Sequence, residues 1–235
     1  MEMLRAWLRQ PGLVRLAFTI AVIAGAWSLA SLGYFRLLPV LGAEVGYNDA
    51  PVFFASYYAA WAAVIAAVFR APFQRMAQEV SAGHAAAVAA MVILFGGYAL
   101  FLIPRLPATE WTYTQTPVEF FWANSWYFLP KSVEILFQQV LIAALVLALD
   151  ALRLTLRQIS LLVAALFGGF HLSLALAYPN PLYVMRYSVA AAIFGAMVPW
   201  FLLRLRGGFL ISYAVHWSYY AADIAAIHFA FAAGD

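Results

Sequence analysis

SVEILFQQVLIAALVLAL, residues 132–149, carries one charge, Glu134, and two amides, Gln138 and Gln139, among otherwise apolar side chains apart from Ser132. At 1.5 Å per residue it reaches roughly 27 Å, about the thickness of a bilayer's hydrocarbon core, so it reads as a membrane-spanning helix. A carboxylate inside such a span costs about 3 kcal/mol or more unless it faces a bundle interior and finds a partner. Two imidazoles share its situation: His171 in LLVAALFGGFHLSL and His216 in FLISYAVHWSYYAAD. The plain explanation is hydrogen-bonding glue between helices. Three such residues in one half of the chain point instead to a functional site.

The composition agrees with a membrane protein. Of 235 residues, 66% are hydrophobic and 10% charged, where a soluble domain carries about 25% charged residues. The net charge of +3 comes from cations at span ends, twelve Arg and one Lys, and not from a single patch. Nucleic-acid binding has no support. With no Cys there are no disulfides, thiolate nucleophiles or cysteine metal sites. The basic start MEMLRAWLRQPGLVR runs into a full-length apolar span without a small-residue cleavage site, so a retained first helix is expected.

Seven segments pass the length test, near 16–38, 51–69, 83–103, 132–149, 158–178, 183–203 and 207–231. Pro51, Gly83, Pro104, Pro130, the Pro179-Asn180-Pro181 turn and Gly207-Gly208 punctuate them. The expected fold is therefore an all-α, multi-pass membrane helix bundle of about seven spans. It forms a single transmembrane domain over 1–235: three spans in 1–103, an aromatic connection at 104–131 and the remaining spans in 132–235. With the N-terminus inside, the inner ends hold Arg5, Arg9, Arg15, Arg70, Arg75, Arg153, Arg157, Arg204 and Arg206. The outer ends hold only Arg36, Arg105, Lys131 and Arg186. That asymmetry predicts the N-terminus inside and the C-terminus outside; the expected setting is a bacterial-type inner membrane. The 104–131 connection carries Trp111, Tyr113, Trp122, Trp126 and Tyr127, which suit the outer headgroup layer.

Depth can be counted from the span ends. Glu134 lies within a turn of the outer end of its span, His171 about 20 Å above the inner end, and His216 about 14 Å up. They are compatible with one outward-opening cavity. Glu134 and Gln138 share a face at i,i+4. On the last span His216, Tyr220, Asp223 and Ile227 form one stripe. Arg186 is a candidate counter-ion for Glu134 or Asp223, or a snorkelling interface residue. Gln139 points away from Gln138 and can join two helices; His84 and His228 read as boundary histidines. Gly168, Gly169 and Gly195 allow close helix approach around His171.

In order, VEILFQQVLIAAL, ALFGGFH and RGGFLISYAVHWSYY resemble the CPBP family of intramembrane proteases, which includes the type II CAAX prenyl proteases. That family's pattern is E-E-x-x-x-R, then F-x-x-x-H, then H-x-x-x-N or Asp. Phe167 and His171 meet the second motif, His216 opens the third, and Glu134 with Ile135-Leu136-Phe137 fits the second Glu and spacer of the first. The likeness covers about residues 130–225. Val133, Gln138 and Tyr220 stand where the family has Glu, Arg and Asn. In that family a Glu of the first motif and the His of the second activate a water and the second His supports the oxyanion, because a carboxylate takes the water's proton and neutral donors meet the developing charge. With Val133 in the place of the first Glu, the resemblance implies that Glu134 takes that role through a local shift, beside His171 and His216; the other alignment slides the motif to Gln138-Gln139, where an amide is no general base.

The departures favour a divergent member whose peptidase chemistry is weakened or lost, working by association with other integral membrane proteins. The alternative is an active intramembrane endopeptidase acting on a membrane-embedded or prenylated peptide. In either case Glu134, His171 and His216 are the catalytic candidates and Gln138, Tyr220 and Asp223 their polar support. Lipids are the expected surroundings and no cofactor is required. A zinc ion on Glu134, His171 and His216 is a weaker alternative, since two His and a carboxylate can form a zinc set but no HExxH helix is present. Transport is less favoured, with no repeat symmetry or broken helix pair.

Overall fold

In the computed structural model the described residues are 12–44, 46–77, 82–109, 123–176 and 181–232. Arg5, Arg9, Trp111, Tyr113, Trp122 and the Pro179-Asn180 part of the turn lie outside them, as does the side chain of Arg75. Nine α-helices occur among the described residues: α1 (Gly12–Leu41), α2 (Gly46–Asp49), α3 (Pro51–Val68), α4 (Arg70–Ala77), α5 (Ala82–Gly97), α6 (Phe128–Asp150), α7 (Leu156–Leu172), α8 (Pro181–Arg204) and α9 (Gly208–Ala230). A π-helical turn, Tyr98–Leu102, continues α5. The one β feature among these residues is an isolated bridge between Thr109 and Ala232. The protein is all-α.

Helices stand at all seven expected positions, but five are long and apolar enough to cross a membrane: Gly12–Leu41, Pro51–Val68, Gly83–Arg105, Ser125–Asp150 and Tyr183–Arg204. The expected 158–178 span is shorter, because α7 has 17 residues and tightens into a 3-10 turn at Ser173–Leu176. Its α-helical part reaches only about 25 Å. The last helix, α9, has 23 residues. It falls outside the five because His216, Asp223 and His228 interrupt its apolar run.

Local signals set the ends. Gly42 takes a left-handed φ of 63° after α1, and Ala43 N–H reaches back to Leu38 O at 3.0 Å, a Schellman-type stop. Asn124 accepts from the backbone N–H groups of Trp126 (2.8 Å) and Tyr127 (3.2 Å), starting the short helix that leads into α6. Thr155 and Gln158 form a capping box at the start of α7. Pro181 opens α8, where its missing N–H costs nothing.

The chain divides into two compact units. Unit 1 takes Met1–Gly25, Ala66–Glu79 and Gln139–Ser212; unit 2 takes Ala26–Ile65, Val80–Gln138 and Tyr213–Asp235. The core of unit 1 is Ile142, Val146, Leu149, Ile159, Val163, Phe194 and Val198, with Leu16, Leu154 and Leu202 packed on it. Its glycines allow close contact. A Cβ on Gly195 would sit 2.9 Å from Val163 O, and one on Gly168 would sit 2.8 Å from Ala192 Cβ. Near Gly169 there is open space. Ser212 Oγ donates to Gln139 Oε1 at 2.8 Å, both residues wholly buried, and so joins α9 to α6. Ser212→Ala should lower stability by about 0.6–2 kcal/mol, read as a lower unfolding midpoint in detergent. An unchanged midpoint would remove this bond from the account.

In unit 2 the core is aromatic. Phe95 stacks on Trp217 at 3.8 Å between centroids. Tyr98 OH donates to Ala221 O at 2.5 Å. Trp217 Nε1 donates to Ser132 Oγ at 2.9 Å and Tyr213 OH to Ser132 O at 3.0 Å, tying α9 to the start of α6. Trp126 is 60% exposed, while Tyr127 is wholly buried. The two therefore part ways: Tyr127 packs at 5.4 Å from Tyr47, inside the unit and not in an outer aromatic belt.

Candidate functional site

Glu134 lies on the second turn of α6, and both its oxygens are engaged. Lys131 Nζ donates to Oε2 at 2.8 Å and Gln138 Nε2 donates to Oε1 at 2.9 Å. The helix produces this directly: i,i+3 and i,i+4 neighbours stack on one face. The Lys131 side chain is 6% exposed and that of Glu134 14%, so this is a buried ion pair.

Aromatic rings surround the ammonium. Lys131 Nζ lies 4.1 Å from the centroid of Tyr220 and 5.8 Å from that of Tyr47. A cation over a ring face in a desolvated site is worth about 2 kcal/mol. Tyr47 OH donates to Tyr58 OH at 3.0 Å, and Tyr58 is near enough to interact electrostatically with Glu134 and Lys131. His216 stacks on Tyr220 at 5.5 Å between centroids. All four residues of the α9 stripe, His216, Tyr220, Asp223 and Ile227, are buried.

Thus Glu134, Gln138, Tyr220 and His216 connect within unit 2, and Lys131 is the link. His171 belongs to unit 1. It is partly exposed, and its Nδ1–H donates to Phe167 O, one turn back, at 2.8 Å. Phe167 also packs edge-on against its ring, at 4.9 Å. The Phe-x-x-x-His spacing of the second motif is therefore a local i,i+4 contact. Arg186, a candidate counter-ion in the sequence, is exposed and places its guanidinium 5.3 Å from the Tyr187 ring. Glu134 takes Lys131 instead. His228, in the last turn of α9, is buried, with Nδ1–H donating to Pro107 O at 2.8 Å. Among the described residues no group of three His, Asp or Glu side chains could hold a metal ion.

Sequence reasoning missed Lys131, Tyr47 and Tyr58. Lys131 reads as an outer-end cation that signals topology, yet two features of the sequence mark it. It is the only Lys beside twelve Arg, and it sits three residues before the one carboxylate of its span. Tyr47 and Tyr58 come from distant positions that no local spacing relates to Glu134.

Chemically, the cluster is a closed ion pair with an aromatic lining. For Glu134 to take a proton from water, Lys131 would be left as an unpaired buried cation. Breaking a buried pair in this way costs about 3–5 kcal/mol. Such an arrangement holds charge in place more readily than it moves protons.

No family model matches the chain, and no curated protein or solved structure matches it either.

Proposed function

We propose that this chain is a non-peptidase membrane protein of CPBP-like ancestry that acts by associating with other integral membrane proteins. One observation carries the proposal: both oxygens of Glu134, the one carboxylate left in the first motif to act as general base, are committed to Lys131 and Gln138. Val133, Gln138 and Tyr220 add support, since each replaces a polar group that the peptidase pattern uses. The ion pair then serves to fix the start of α6 against α9 within unit 2. Its setting is a bacterial-type inner membrane, and the distribution of Arg between alternate loops supports an N-terminus inside.

Purified full-length protein, offered membrane-embedded and prenylated peptides, is expected to release no more product than Glu134→Gln and His171→Ala variants. Gentle detergent extraction is expected to retain a stable membrane-protein partner in all three proteins. Cleavage by the wild type that either substitution abolishes would overturn the proposal and restore the peptidase, with Glu134 and His171 as its water-activating pair. Retention of no partner would remove the association half.

A further inference from the structure

The turn between α6 and α7 holds two arginines in positions that local energetics disfavour. Arg153 adopts φ 59°, a left-handed conformation suited to glycine or asparagine. Arg157 stands in the first turn of α7, where the partial positive charge of the helix opposes a cation. Neither choice helps the fold. The topology signal read from these inner-end arginines needs positive charge in the loop, but not at a left-handed position or in the first turn of a helix, so two local penalties on one short turn point to a further use of the charge.

Further arginines collect at this end of unit 1, so cations that the sequence places at separate span ends are in part gathered into one patch. Gly195 faces Val163 and Ala164 while Gly168 faces Ser188 and Ala192, so α8 runs antiparallel to α7 and brings Arg204 back towards Arg157. Arg206 follows in the next turn. A side chain at Gly12 would touch Leu152, and Leu16 packs on the same core as Leu154, which places the partly buried Arg15 here as well. Arg153, Arg157, Arg204 and Arg206 are all exposed, and the ion pair found among the described residues, Lys131–Glu134, involves none of them. Asp150 is the acid nearest in sequence.

We propose that this arginine-rich end of unit 1 binds the phosphate groups of anionic phospholipids. The occupant follows from charge and height. Helices α6 and α8 fall within segments long and apolar enough to cross a membrane, and the cations stand at their C-terminal ends, the level at which headgroup phosphates lie. Guanidinium forks match phosphate oxygens in pairs, which suits Arg better than Lys. The inference is independent of the peptidase ancestry.

The test uses the full-length protein in lipid discs of phosphatidylcholine mixed with phosphatidylglycerol, followed by mild extraction and mass measurement of retained lipid. Wild type should retain phosphatidylglycerol in excess of its share in the disc. Each of Arg153→Gln, Arg157→Gln and Arg204→Gln should reduce that preference about fivefold, the equivalent of about 1 kcal/mol per basic residue near a charged surface. Should the triple Gln variant fail to fold, the triple Lys variant keeps the charge and should keep most of the preference. High salt should erase the wild-type preference. Equal retention of the two lipids by wild type, or a preference untouched by the Gln substitutions, would overturn the proposal. So would stabilisation by inorganic phosphate alone that equals the stabilisation by phosphatidylglycerol, which would assign the surface to a soluble phosphate ligand.

Discussion

Lys131→Ala should destabilise the folded protein by about 3–5 kcal/mol, the usual loss when one partner of a buried ion pair is removed and the other stays charged. The geometry leaves Glu134 little recourse: it is 14% exposed, and its one remaining partner of the two, Gln138, is neutral. Removing both charges reverses the sign of the argument. Lys131→Met combined with Glu134→Gln keeps an amide for Gln138 to bond and lets an apolar chain fill the space between Tyr47 and Tyr220. Replacing buried pairs with side chains of similar volume is often neutral or stabilising. Thermal unfolding in detergent should therefore rank the double variant above the Lys131→Ala single and near wild type. A Lys131→Ala protein as stable as wild type would show that the pair is not held as tightly as its 2.8 Å contact implies.

The second large effect concerns the glycines of unit 1. Gly195→Ala is expected to cost about 1–3 kcal/mol, because its new methyl would meet Val163 O at 2.9 Å and Ala164 Cα at 3.0 Å, both backbone atoms unable to swing aside. Gly169→Ala is the control on the neighbouring helix. Nothing lies within 4 Å of a Cβ there, so the substitution should be neutral or should gain up to about 1 kcal/mol from helix propensity. Unfolding midpoints for the two proteins, measured side by side, decide the matter. If they shift alike, close approach of α7 and α8 at Gly195 does not govern stability.

Much of the fold was legible from the hydropathy and punctuation of the chain. Pro51, Pro181 and Gly208 each open a helix, as their backbone chemistry predicts. What sequence could not supply was which apolar runs keep enough length and apolarity to span. α7 ends early in a 3-10 turn after His171, and α9 carries three polar side chains that its apolar neighbours mask in a short window. The site was half legible. Glu134 with Gln138, and the α9 stripe through His216 and Tyr220, follow from helical spacing alone. The tyrosines at 47 and 58 do not, because tertiary proximity has no sequence period. Lys131 lay within reach of the same i,i+3 rule that paired Glu134 with Gln138 at i,i+4, but a lysine at a span end also fits a topology signal, and that explanation masked the other.

Lys131 has a consequence for the protein's turnover. It is the only lysine in this sequence, and its side chain is 6% exposed beneath Tyr47 and Tyr220. Acetylation, methylation and protein tagging all attack the lysine amine. In the folded state they find no accessible side chain here to act on. Modification of the lysine side chain, as distinct from the chain's α-amine, is therefore conditional on the opening of unit 2, so that label found at residue 131 reports copies that have opened.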